Sequence, residues 1–227
     1  MEILCYDIMN QEMEMLSYCM VSNKGNREIN VDSARIVYRN NKTCFIVADA
    51  MEWDGKGECA SSFVTESMAN QFNDSIRIES FLEIAVVNTQ IRLMEKQKNT
   101  KKDMKSTVAA LLIDGDNAKW IHVGNSRLYS FKKTRVKEKT VEDNEVLIGD
   151  NWETTQYSVS NIRDINKINA FLLCTDGFWK LINEKEIRKA LKKSTSVREW
   201  LDYMQKLISK NGEEVVKDNY TAIAVWI

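Results

Sequence analysis

Phe171-Leu172-Leu173-Cys174-Thr175-Asp176-Gly177 is an apolar run that stops at a single acid and a glycine. That composition predicts a short buried strand with a carboxylate held at its end. A bare carboxylate in such a place is costly unless it is paired or binds a cation. Thr43-Cys44-Phe45-Ile46-Val47-Ala48-Asp49 repeats the pattern, and Asp218 stands just before the apolar stretch 220–227. Three carboxylates at strand ends, far apart along the chain, are candidates to meet in space and share metal.

The segments around them supply a scaffold. Strands are expected at residues 15–22, 35–38, 43–48, 107–113, 118–123 and 127–131, with another within 152–159; residues 1–10 alternate only weakly. Arg39-Asn40-Asn41-Lys42 and Asp114-Gly115-Asp116-Asn117 read as hairpin connections. Residues 132–151 look charged and irregular. Helices are expected at about 58–72, 80–98, 184–192 and 197–208, with a helical turn at 178–182. The 58–72 helix places Ala60, Phe63, Val64, Met68 and Phe72 near one face. The second would bury Phe81, Ile84, Ala85, Asn88, Ile91 and Met94, with Ser80-x-x-Glu83 as a capping box. The last carries a clean stripe of Val197, Trp200, Leu201, Met204, Leu207 and Ile208 behind a Ser196-x-x-Glu199 cap. Helices do not alternate one-for-one with strands, which argues against a doubly wound parallel sheet. The expected class is α+β, a four-layer αββα sandwich of two antiparallel sheets flanked by helix pairs, formed by residues 1–227 as a single domain.

Bulk properties exclude several partners. The 227 residues are 44% hydrophobic and 29% charged, with a formal net charge of -1. A balance of this kind gives no reason to expect nucleic acid or a membrane as partner. The lysines within 96–105 and 132–139 read as solvated loops. Cys5, Cys19, Cys44, Cys59 and Cys174 are odd in number and form no C-x-x-C pair, so buried free thiols in a reducing compartment are expected. No apolar run approaches ~18 residues, and no basic-then-apolar leader is seen, so a cytoplasmic location is expected. The chain has no proline, a feature without a physical account here.

Further motifs accompany the three aspartates. Arg27-Glu28-Ile29-Asn30-Val31-Asp32-Ser33 resembles the Arg-x-x-Asn-Glu-Asp-Ser of the metal-dependent serine/threonine phosphatases called protein phosphatase 2C. Val47-Ala48-Asp49-Ala50-Met51 and Gly57-Glu58-Cys59-Ala60-Ser61 are similar to that family's Val-x-Asp-Gly-Met-Gly-Gly and Gly-Glu-x-Ala-Ser. Ser106-Thr107, the run from His122 to Tyr129 (His-Val-Gly-Asn-Ser-Arg-Leu-Tyr), Leu172–Gly177 and Asp218-Asn219-Tyr220-Thr221 match later family motifs in order. The resemblance spans residues 22–227 and is divergent and bacterial in type. It implies hydrolysis of phosphoserine and phosphothreonine in proteins by a metal-bridging hydroxide, with two Mn²⁺ or Mg²⁺ ions. It further implies that Asp49 bridges both ions, that Asp176 and Asp218 complete one of them, and that the Ala50 carbonyl reaches the other. Asp32 would hold a metal-bound water, and Arg27 would clamp the substrate phosphate, for which its bidentate fork is suited. Phosphorylated proteins, and a cognate serine/threonine kinase that makes them, are the implied partners. Two cations a few ångströms apart supply a nucleophile and charge neutralisation for such a reaction, and oxygen donors suit Mg²⁺ or Mn²⁺.

The chain departs from the family at several points. Val31 stands where a glutamate is common, Ala50 where a glycine is, and Glu52-Trp53 where Gly-Gly is. Asn125 replaces an aspartate that binds a third ion in many relatives, which makes a third ion doubtful here. The segment between Tyr129 and Phe171 is short for a flap over the site. Bland alternatives stand beside these roles: Asp176 as a helix N-cap, Asp49 and Asp218 as turn residues, Arg27 as a surface ion-pair partner, and His122 and Trp179 as structural. At the level of the whole chain, the alternative is a degenerate phosphatase fold that binds a phosphoprotein or regulatory partner without turnover.

Overall fold

Alternation along the central strands sorts the molecule into layers. In the computed structural model, which describes residues 4–9, 15–51, 59–140, 146–151, 156–212 and 217–227, the strand Lys42–Asp49 is buried on both faces. Cys44, Ile46 and Ala48 point to one side, against Val64, Met68, Leu82 and Val86. Phe45 and Val47 point to the other, where they share a cluster with Phe171, Leu173, Ile223 and Val225. From the opposite sheet, Leu172, Cys174, Ala222 and Ala224 turn away to meet Ile187, Trp200, Leu201 and Met204. The period of two along each strand therefore produces helix, sheet, sheet and helix in that order. A fully buried Phe45 or Phe171 contributes about 1.5–3 kcal/mol through lost apolar surface.

The elements in chain order are β1 (Leu4–Met9), β2 (Met15–Asn23), β3 (Asp32–Arg39), β4 (Lys42–Asp49), α1 (Ala60–Asn70), α2 (Phe81–Thr100), β5 (Val108–Asp114), β6 (Asn117–Val123), β7 (Arg127–Lys132), β8 (Arg135–Lys139), β9 (Ser158–Val159), β10 (Arg163–Asp164), β11 (Ala170–Cys174), α3 (Asp176–Trp179), α4 (Glu184–Lys193), α5 (Val197–Asn211) and β12 (Tyr220–Trp226). One sheet has the order β1-β2-β12-β11-β7-β8; the other runs β10-β6-β5-β4-β3, with β9 also on β6. All these pairings are antiparallel. The β3–β4 turn has Asn40 and Asn41 at φ of 44° and 64°, the left-handed pair that a tight hairpin needs.

Several expectations are corrected. The buried face of α2 keeps the expected Phe81 and Ala85 and adds Leu82, Val86, Thr89, Gln90 and Leu93, whereas Ile84 and Ile91 are 54% and 51% exposed. Gln90 goes inward because it serves a loop: its Oε1 accepts from Gly149 N at 2.6 Å and its Nε2 donates to Asp150 O at 2.5 Å. Asn88 is exposed and Met94 only partly buried. Ser80 makes no side-chain cap; Glu83 instead pairs with the buried Lys119 at 2.5 Å. A full capping box occurs where none was expected, between Asn183 and Glu186 at the start of α4. At α5, Ser196 accepts from Glu199 N, while the Glu199 carboxylate turns to Thr195. The charged stretch after Phe131 contains the strand β8.

Cys44, Cys59 and Cys174 are free thiols. Cys19, expected to be one, is disulfide-bonded, and the strand register places Cys5 directly opposite it. Among the described residues, no helix is long and apolar enough to cross a membrane.

Candidate active site

Asp32 and Asp49 are direct partners across the β3–β4 ladder, so the hairpin alone brings two carboxylates side by side. The third arrives from the other sheet. Asp176 follows β11 and opens α3, whose N-cap is Thr175, so Asp176 is not itself the cap. Gly177 makes the close approach possible: a Cβ there would collide with the backbone carbonyl of Asn219. Asp218 is thereby held beside the same turn.

Hydrogen bonds lock this junction between the sheets. Thr175 Oγ1 donates to Asp32 Oδ2 at 2.8 Å, and Thr221 N donates to Thr175 Oγ1 at 3.0 Å. Asp49 N donates to Thr107 Oγ1 at 3.0 Å, and Thr107 N returns a bond to Asp49 O at 2.9 Å. Asn219 staples the loop that carries Arg27: its Oδ1 accepts from Val31 N, and its Nδ2 donates to Lys24 O and Ile29 O.

A cleft of about 1050 Å³ opens over these residues. Asp49, Ala50, Asn125 and Asp176 line it together with Arg27 and Asp218; Asp32 lies behind Asp49. Arg27 Nε and Nη2 both reach Asp218 Oδ1 at 3.0 Å. Those side chains are 60% and 47% exposed, so this pair sits at the open rim. Asp176 Oδ2 accepts from Lys180 Nζ at 2.6 Å and Asn125 Nδ2 at 3.2 Å. Ala50 is absent from the residues with positive φ, so alanine is unstrained in the place of the family's glycine. His122 is buried within β6 and does not line the cleft. Glu52 and Trp53 lie outside the described residues, as do 141–145 and 152–155 of the short flap segment.

The electrostatics are those of crowded acids. Burial, then the charges of Asp32 and Asp176, raise the Asp49 carboxyl to about 10. Burial, only partly offset by bonds from Thr175 and Thr221, raises Asp32 to about 6. Asp32 Oδ1 and Asn125 Oδ1 are buried without a hydrogen-bond partner. Clustered, desolvated carboxylates with an unused oxygen fit a hard divalent cation, and among the described residues no thiol or imidazole lines the cleft. Among the described residues, no three acidic, histidine or cysteine side chains close on one point as a finished cage; Asp176 and Asp218 face Lys180 and Arg27.

Sequence patterns and the family resemblance singled out Asp32, Asp49 and Asp176, which the structure gathers, and Arg27 and Asp218, which it places as a pair on the cleft edge. They missed Lys180 and the platform beneath it. Trp179 donates from Nε1 to Asn125 O at 2.9 Å, and the Arg127 guanidinium lies 3.2 Å from the centre of its ring. The spacing of Lys180 four residues after Asp176 was the available signal.

Comparison with known proteins bears on the family and the fold. A family model described as protein phosphatase 2C matches residues 22–219. The serine/threonine phosphatase stp of Listeria welshimeri is 24% identical over 221 residues, covering 82% of this chain and 85% of that one. The serine/threonine phosphatase Stp1 from Staphylococcus aureus has a similar fold, with a TM-score of 0.81 at 21% identity, over 94% of this chain and 96% of its own. The catalytic domain of the serine threonine protein phosphatase PstP, solved in complex with two manganese ions, matches at a TM-score of 0.77 and 21% identity, over 93% and 97% of the two chains.

Proposed function

Because the chain belongs to the protein phosphatase 2C family, we propose that it removes phosphate from phosphoserine and phosphothreonine in proteins, opposing a serine/threonine kinase. The convergence of Asp32, Asp49 and Asp176 at one junction carries the reading. Asp49, Asp176 and Asp218, with the Ala50 carbonyl, would hold two Mn²⁺ or Mg²⁺ ions, and Asp32 would orient water from behind. When bound, the ions supply an activated water and positive charge for in-line displacement at phosphorus.

The chain's own residues do the rest. Thr175 fixes Asp32, so its free oxygen has one available direction. Thr107 fixes the backbone at Asp49 from both sides. Arg27 stands at the rim with its guanidinium reachable by an incoming phosphate, for which its fork is shaped. Among the described residues no cysteine, serine or histidine lines the cleft, so the phosphoryl group would pass directly to water as the serine or threonine hydroxyl leaves.

The alternative, a binding module without turnover, draws on Arg27 and Asp218 occupying each other. Against it stands the cost of keeping Asp32 and Asp49 buried together with no cation to hold. Phosphate release from a phosphothreonine peptide separates the two. Release with Mn²⁺, loss with chelator and recovery on adding Mn²⁺ back are expected. Metal-replete protein that releases none would overturn the enzyme reading.

A further inference from the structure

Asp176 Oδ2 already carries a cation of the chain's own making. Lys180 follows α3 one turn after Asp176, and its backbone N donates to Asp176 O at 2.9 Å. Its ammonium lies 2.6 Å from Oδ2; the aspartate side chain is 11% exposed and the lysine 55%. Asn125 Nδ2 meets the same oxygen at 3.2 Å. Asn125 is held through its carbonyl by Trp179, which is itself pinned under Arg127. Both Lys180 and Asn125 line the cleft.

We propose that Lys180 is a built-in counter-cation of the ion site and a second ligand for the substrate's phosphate. It neutralises Asp176 when no divalent ion is bound, and it must give up Oδ2 for an ion to bind there. Released, its ammonium remains on a flexible four-carbon stem lining the cleft, where it can meet an incoming phosphate. A compact, strongly hydrated point charge suits such an exchange better than a guanidinium fork. Lys180 thus weakens ion binding and strengthens substrate binding, two effects of opposite sign from one side chain. The inference rests on the phosphatase reading above and adds to it a residue whose role is separable.

The test is calorimetric titration of Mn²⁺ into chelator-stripped wild type, Lys180→Met and Lys180→Arg, with KM for a phosphothreonine peptide measured at saturating Mn²⁺. A half-exposed ion pair is worth a modest factor. Lys180→Met should bind Mn²⁺ about three- to tenfold more tightly while its KM rises about threefold or more. Lys180→Arg, which keeps the charge, should stay near wild type in ion affinity. Wild-type values of either quantity in Lys180→Met overturn the proposal, as does identical ion binding by the two variants. If wild type binds Mn²⁺ and Lys180→Met matches it, only the role of Lys180 falls. If neither protein binds Mn²⁺, the ion site falls and this inference with it.

Discussion

Asp49 sits between Asp32 and Asp176, and burial with those two neighbours lifts its carboxyl from 3.8 to about 10. In the unfolded chain that carboxyl ionises near its ordinary value. Between about pH 4 and 10, therefore, the folded metal-free protein keeps a proton that the unfolded chain has lost. Proton binding favours the folded state, so stability falls as pH rises through that window. Asp32, raised to about 6, adds the same sign over a narrower range. Asp49→Asn removes this burden. Metal-free Asp49→Asn should be more stable than metal-free wild type at pH 7 by on the order of 2 kcal/mol, with the gap closing toward pH 4. Thermal melts across pH measure it, and a variant that melts lower than wild type at pH 7 would contradict the assignment. The strand-end pattern exposed Asp49 and Asp176 in the sequence because an acid ending an apolar run is rare and costly. Lys180 had only its spacing four residues after Asp176 to mark it, and Asn125, 51 residues away in sequence, had no local signal as a partner of Asp176.

At the scale of elements, the turn from β11 into α3 decides whether Asp176 and Asp218 are neighbours. Gly177 lets that turn press against the backbone at Asn219. Gly177→Ala should cost about 1–3 kcal/mol, as overpacking does, read as a fall in melting temperature of roughly 2–10 °C. An unchanged melting temperature would mean that the contact is looser than described. Helix α2 shows why its orientation was harder to read than its existence. Its register places Gln90 and Thr89 inward and Ile84 and Ile91 outward. A hydrophobicity stripe ranks isoleucine above glutamine, yet the loop at Gly149 needs a buried donor and acceptor, and Gln90 provides both. Strand β8 was missed for the opposite reason. Its alternation of exposed and half-buried residues is an edge-strand pattern rich in charge, and in sequence that looks like a loop.

Across the whole molecule, function depends on two sheets meeting so that strand ends from distant segments face one another. β3 and β4 bring Asp32 and Asp49; β11 and the approach to β12 bring Asp176 and Asp218. The sandwich was legible because β4 and β11 are apolar on both faces, which only a buried central strand tolerates. The pairing of Arg27 with Asp218 was not legible, since it joins side chains 191 residues apart that meet only after folding. The most direct test of the account is the anomalous difference map, at the manganese edge, of crystals grown with Mn²⁺. Two peaks about 3.5–4 Å apart, both beside Asp49 and one within reach of Asp176 and Asp218, are predicted. A map with no peak beside Asp49 would contradict it.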